Sequence, residues 1–108
     1  MFLLLGLLSS CSLALNVAPP TLPEGKLGQP YEAVIVVSDN RTPFGGASVE
    51  SGSLPPGLTL GRVEQDTRLP IVGTPTRAGR HAFRLALWCY GTNFPGQRAT
   101  RDYVIVIR

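Results

Sequence analysis

The sequence predicts an all-β protein, a β-sandwich of about seven short antiparallel strands. Twelve glycines and ten prolines among 108 residues interrupt every stretch that could otherwise form a helix. Between these interruptions lie short runs in which apolar and polar side chains alternate, as they do in strands that bury one face. The length suits one domain with a single core.

The elements follow in chain order. Residues 16–18 are predicted as a tether, and Pro19, Pro20 and Pro23 confine the edge strand that follows to a sheet margin. In residues 31–37, Tyr31 and the alternate positions after it share one face, an arrangement typical of a half-buried strand. The further predicted strands are residues 47–50, 58–60, 69–72, 80–90 and 102–107.

The two faces of the strand over residues 80–90 differ in character. One face carries His81, Phe83, Leu85, Leu87 and Cys89. The opposite face carries Ala82, Arg84, Ala86, Trp88 and Tyr90. Pairing with the last strand would add either Val104 and Val106 or Tyr103 and Ile105 to that second face.

The N-terminus resembles a bacterial lipoprotein signal peptide. The apolar run over residues 1–8 is shorter than the roughly 20 residues of a membrane span, and Leu8-Ser9-Ser10-Cys11 after it resembles a lipobox. The resemblance implies a cleaved signal peptide over residues 1–10, a lipidated tether from Cys11 over residues 11–18, and a sandwich over residues 19–108. The non-acidic Ser12 favours the periplasmic side of the outer membrane in the cell envelope. The alternative is a buried N-terminal strand with an incidental cysteine.

A second resemblance covers residues 20–107. The motif Leu54-Pro55-Pro56-Gly57-Leu58 is followed by Ile71-Val72-Gly73-Thr74-Pro75, and then by a glycine that opens a long Phe-containing strand. This order is similar to that of bacterial immunoglobulin-like domains, which are related to cadherin-like modules. The resemblance implies that the sandwich is immunoglobulin-like. In physical terms the two prolines stiffen a turn that glycine completes with a backbone angle other residues resist.

Catalysis and metal binding find little support in the sequence. The single histidine, His81, lies eight residues before Cys89, and at about 3.3 Å per residue the two cannot meet along one strand as base and nucleophile. We expect Cys89 to be a buried, inert thiol without a disulfide, because Cys11 would carry lipid. The acidic residues lack calcium-loop spacing. We therefore predict no enzyme, no catalytic residue, no metal site and no cofactor.

The second face of the strand over residues 80–90 predicts a function. A tryptophan, a tyrosine and an arginine on an apolar surface have the composition of a binding hot spot, so Arg84, Trp88 and Tyr90 are the predicted partner-binding residues. Alternatively, Trp88 only covers the end of the sandwich. The modest net charge of +3 is interpreted as a source of solubility and of some affinity for anionic surfaces, since an envelope protein meets no nucleic acid. No small-molecule substrate is predicted.

The predicted function is that of a lipid-anchored envelope protein, attached to the membrane through lipid on Cys11. It would act as a non-catalytic protein-binding or structural module, as an accessory subunit of an envelope complex. One alternative is an immunity or inhibitor lipoprotein that neutralises a toxin or enzyme. Another is carbohydrate or adhesion binding, for which Phe44 and Phe94 are the candidate loop aromatics.

Overall fold

The computed structural model describes residues 15–91 and 96–108. The predicted signal peptide, Cys11 and Phe94 lie outside these residues. The described residues form seven strands: β1 Asn16–Ala18, β2 Tyr31–Ser38, β3 Phe44–Gly52, β4 Leu58–Leu60, β5 Arg68–Gly73, β6 Gly79–Cys89 and β7 Arg98–Ile107. Within this part of the chain no helix is long and apolar enough to cross a bilayer.

The strands form two antiparallel sheets. One sheet has four strands in the order β1-β2-β5-β4, and the other has three in the order β3-β6-β7. Gly25, between β1 and β2, adds a parallel bridge to Ile107 at the end of β7. This order is that of a constant-type immunoglobulin domain, in which strands A, B, E and D face strands C, F and G. The predicted all-β, immunoglobulin-like sandwich is confirmed.

The core lies between the two sheets and follows the predicted alternation. In β2 the side chains of Tyr31, Ala33, Ile35 and Val37 are buried, and in β6 those of Phe83, Leu85, Leu87 and Cys89 are buried. Among the described residues no polar or charged residue is buried in the core. Packing of apolar side chains therefore holds the two sheets together, at about 25 cal/mol for each Å² of apolar surface removed from water.

Three boundaries differ from the prediction by three residues or more. The tether predicted as far as residue 18 was wrong for its last residues, because Leu15 is buried and β1 pairs with β2 from Asn16 onward. Phe44, predicted in a loop, is a buried core residue at the start of β3. β7 begins at Arg98 rather than residue 102, since ten consecutive residues pair with the long strand β6.

The turn before β4 has the predicted conformation. The amide of Leu58 donates to the carbonyl of Pro55 at 3.0 Å, and Gly57 between them has a φ of +97°. A β-carbon at Gly57 would lie 2.0 Å from the carbonyl oxygen of Thr74. Only glycine fits here, since both the backbone angle and the space exclude a side chain.

Candidate binding surface

The candidate surface is the outward face of the three-stranded sheet, hereafter the outer face. Strand alternation in β6 points Arg84 and Trp88 away from the core, as predicted. In the register of the sheet, Trp88 lies beside Gly46 of β3 on one side and Arg98 of β7 on the other. The outer face therefore brings together residues from three strands.

Trp88 packs against glycine backbone on β3. A β-carbon on Gly45 would lie 1.9 Å from the indole ring, and one on Gly46 would lie 3.6 Å from it. An aromatic ring that covers glycines on a neighbouring strand fills the space their missing side chains leave. Trp88 is consequently half-buried on the outside of the sheet, rather than in the core.

Tyr90 extends the aromatic surface beyond the end of β6. Its ring meets the indole of Trp88 edge-to-face, with centroids 5.3 Å apart and planes at 89°, a geometry that aromatic pairs favour. Its side chain is 53% exposed. The backbone of Tyr90 is fixed because its amide donates to the carbonyl of Pro43 at 3.1 Å and its carbonyl accepts from the hydroxyl of Thr42.

Arg84 takes part in a charge cluster on the same face. Its guanidinium donates to both carboxylate oxygens of Asp102, at 2.7 and 3.3 Å, and one nitrogen lies 3.9 Å from Glu50. The hydrogen bond from Arg84 lowers the pKa of the Asp102 carboxyl from its ordinary value. This pairing orients the arginine, but solvent screening of exposed charges limits its contribution to stability.

A shallow depression separates the charge cluster from the aromatic pair. The position between Arg84 and Trp88 on β6 is Ala86, whose neighbours across the sheet are Ser48 and Thr100. The lining consists of Glu50, Ala86, Leu87, Arg98, Ala99 and Thr100. Small side chains in the middle and large ones at the borders make a concave surface that can receive a partner's side chain.

The far half of the outer face carries two valines of β7 beside an alanine and an arginine of β6. Of the two alternatives for β7, Val104 and Val106 share the outer face, because they pair with Ala82 and Arg80. Tyr103 and Ile105 are buried in the core. The hydroxyl of Tyr103 donates to the carbonyl of Pro19 at 2.8 Å, which holds the segment after β1 against the three-stranded sheet.

His81 and Cys89 do not form a catalytic pair. An imidazole nitrogen of His81 lies 3.2 Å from the carbonyl oxygen of Arg77, at the opposite end of β6 from Cys89. Cys89 is buried, and burial raises the pKa of its thiol, which disfavours the nucleophilic thiolate. Within residues 15–91 and 96–108, no group of three metal-ligating side chains comes together.

Two features of the outer face were absent from the sequence prediction. One is the packing of Trp88 over Gly45 and Gly46, although consecutive glycines in a strand indicate the close approach of another group. The other is the pairing of Arg84 with Asp102, which are 18 residues apart. Nothing local in the sequence indicates that pair, since it depends on the register of β6 against β7.

Comparison with known proteins supports the fold assignment. No family model matches the chain, and no curated protein matches it in sequence. The chain is similar in structure to the SrpA adhesin of Streptococcus sanguinis, with a TM-score of 0.65 and 14% identity over 87% of this chain and 56% of the adhesin. It is also similar to a PapD-like domain of human CEP192, with a TM-score of 0.55 and 12% identity over 90% of this chain and 87% of that one.

A third similar structure is an endo-fucoidan hydrolase of glycoside hydrolase family 107. Its TM-score is 0.65 and its identity 19%, over 90% of this chain but only 14% of the hydrolase. The chain thus spans a small part of the hydrolase and about half of the adhesin. At these identities the likeness establishes an immunoglobulin-like β-sandwich and nothing more specific.

Proposed function

We propose that this protein is a lipid-anchored, non-catalytic binding module of the bacterial envelope, an accessory subunit that docks a protein partner through its outer face. The anchor is Cys11, on the strength of the lipobox-like sequence before it. Two or three acyl chains, at about 0.8 kcal/mol for each buried methylene, hold a protein firmly on a bilayer. The sandwich itself supplies the recognition surface.

The observation that carries the proposal is the aromatic pair beside the depression. Trp88 and Tyr90 present a fixed apolar surface whose geometry is held by strand packing and backbone hydrogen bonds. Arg84, oriented by Asp102, lies across the depression. Tryptophan, tyrosine and arginine dominate the binding energy of protein interfaces when they lie near the centre and become desolvated. A rigid surface also costs little entropy to bind.

The anchor is tested by replacing Cys11 with alanine. The variant should leave the membrane fraction and lose the mass that the acyl chains add. A variant that stays in the membrane with the same mass as the wild type would rule out lipidation at this cysteine. This experiment makes no use of the outer face.

The binding surface is tested by affinity purification from detergent-solubilised envelopes. We expect Trp88→Ala to weaken partner capture by about 2 kcal/mol, roughly 30-fold, and Arg84→Ala to weaken it less. Tyr90→Ala should act in the same direction with less effect on folding, because its ring is the more exposed. Leu27→Ala is the matched control, because the exposed fraction of Leu27 is 49%, close to the 53% of Tyr90. The amide of Leu27 donates to the carbonyl of Arg108, at the end of β7 that lies farthest from Trp88.

The melting temperature of each variant separates binding from folding. If Trp88→Ala lowers the melting temperature strongly while capture is retained, the indole serves the fold and the proposed interface is wrong. Co-purification of several membrane proteins supports the accessory-subunit assignment. Tight binding of one soluble protein would support the inhibitor alternative instead. The carbohydrate alternative loses one of its two loop aromatics, because Phe44 is a core residue.

A further inference from the structure

The distance between the predicted anchor and the folded domain is short. Leu15 is buried, and its carbonyl oxygen lies 3.4 Å from a guanidinium nitrogen of Arg101, so Leu15 is held by the three-stranded sheet. Only residues 12–14 separate it from Cys11. A fully extended chain spans at most about 3.6 Å per residue, or about 14 Å from Cys11 to Leu15. A lipid on Cys11 would therefore hold this end of the domain close to the headgroups.

The antiparallel register shows which residues share that end, hereafter the N-terminal end. Asn16 pairs with Ser38 at the end of β2, and the side-chain amide of Asn16 donates to Asp39. On the other sheet, the start of β7 lies here, because the side-chain amide of Gln97 donates to the carbonyl of Asp39 at 3.0 Å. The end of β6 lies here too, since Trp88 pairs with Arg98. The far end, with Gly79 at the start of β6, is about 33 Å away along an eleven-residue strand.

The N-terminal end carries three arginines that form no ion pair with any residue of the ranges 15–91 and 96–108. Arg41 and Arg98 are exposed, and Arg101 is half-buried beside Leu15. The ion pairs of the described residues involve Arg84 and Arg108 instead. The acids near this end are Asp39, Glu64 and Asp66. Glu64 and Asp66 lie in the β4–β5 connection together with Arg62, and Arg68 begins β5.

We infer that the N-terminal end of the sandwich lies against anionic phospholipid headgroups, with Arg41, Arg98 and Arg101 in contact with them. The inference rests on the lipid anchor of the proposed function. Guanidinium groups near an anionic bilayer are attracted to it, and the attraction falls off within a Debye length. The linker spans at most about 14 Å, which is comparable with the Debye length of about 10 Å at 0.1 M salt, and Arg101 contacts Leu15 at the end of this linker.

This orientation restricts the partner. In this orientation β6 runs away from the bilayer, so the outer face is roughly perpendicular to the membrane plane. Trp88 and Tyr90 lie at the membrane-proximal end of that face. A protein that docks there must itself reach the headgroup region. The partner is therefore a membrane protein or another membrane-anchored protein, rather than a soluble protein that reaches the domain from the aqueous phase.

The single tryptophan makes the orientation measurable. The acylated protein is reconstituted into phosphatidylglycerol–phosphatidylethanolamine vesicles that contain a headgroup-labelled quencher lipid. We expect strong quenching of Trp88 emission, partly reversed by high salt. In the matched double variant Trp88→Phe/His81→Trp, the tryptophan moves to the half-buried His81 position near the far end of β6, and quenching should be lost. Equal quenching of both tryptophans would overturn the end-on orientation.

Charge variants test the lipid contact. Replacing Arg41, Arg98 and Arg101 with glutamine should reduce Trp88 quenching in anionic vesicles. The control replaces the same number of exposed cations at the far end, Lys26, Arg77 and Arg80, and should leave quenching unchanged. If both triple variants behave alike, the arginine contact is wrong. Mass spectrometry of the acyl chains, done first, distinguishes failure of the anchor from failure of the orientation.

Discussion

Two glycines in similar turns should respond very differently to alanine. Gly28 and Gly57 each precede the residue that closes a hydrogen-bonded turn, Gln29 to Lys26 at 3.1 Å and Leu58 to Pro55 at 3.0 Å. Their φ angles are +76° and +97°. A β-carbon at Gly28 would have no heavy atom within 4 Å, whereas one at Gly57 would lie 2.0 Å from a backbone oxygen.

The magnitudes follow from this difference. A positive φ costs a residue with a β-carbon about 1–2 kcal/mol, and the lower entropy of the unfolded chain offsets about 0.4–1 kcal/mol of that. Gly28→Ala should therefore cost between about 0 and 1.6 kcal/mol. Gly57→Ala carries the same strain and also forces apart the backbones of the turn and of Thr74, so its total should reach about 3 kcal/mol.

The assay is urea denaturation of the two variants and the wild type, with m values compared to confirm that unfolding exposes the same surface. At about 4–8 °C for each kcal/mol in a domain of this size, Gly57→Ala should lower the melting temperature by more than about 10 °C. The larger Gly57→Val change should cost at least as much. If Gly28→Ala and Gly57→Ala destabilise the domain equally, the close approach to Thr74 does not govern the turn.

Two further predictions concern the outer face. Gly45→Ala should displace the indole of Trp88, because the new β-carbon would lie 1.9 Å from the ring; the measurement is a red shift of tryptophan emission, and an unchanged spectrum would contradict the packing. The hydrogen bond from Arg84 lowers the pKa of the Asp102 carboxyl in the folded protein from its ordinary value of 3.8. The ionised carboxylate therefore contributes stability above pH 3.8, and this contribution disappears as the pH falls through the lowered pKa. Asp102→Asn should therefore weaken the loss of stability on acidification, as followed by melting temperature against pH, and an identical profile would show that the pair does not affect stability.

Much of the fold could be predicted because a strand produces a recognisable pattern within its own few residues. Alternation of side chains along residues 80–90 identified which residues face the core, since the two faces of a strand are fixed by its geometry. The turn at Gly57 followed from a glycine after two prolines, whose conformational limits are properties of those residues alone. β4 was predicted at its observed bounds, Leu58–Leu60, for the same reason.

The starts of β1, β3 and β7 were harder to predict. Asn16–Ala18 contains too few residues to show a period, and it is a strand only because β2 lies beside it. Phe44 begins β3 because it pairs with Cys89 at the end of β6. Pairing with a long neighbour extends a strand into residues whose own sequence is typical of a loop.

The all-β class, the inward and outward faces of the long strand and the turn glycines are predictable from the sequence, because each depends on backbone geometry over a few residues. Only the assembled sheets show that Trp88 covers Gly45, that Arg84 pairs with Asp102 and that Arg101 lies beside Leu15. Those contacts join residues distant in the chain, and they depend on strand register, which is set by the packing of the two whole sheets.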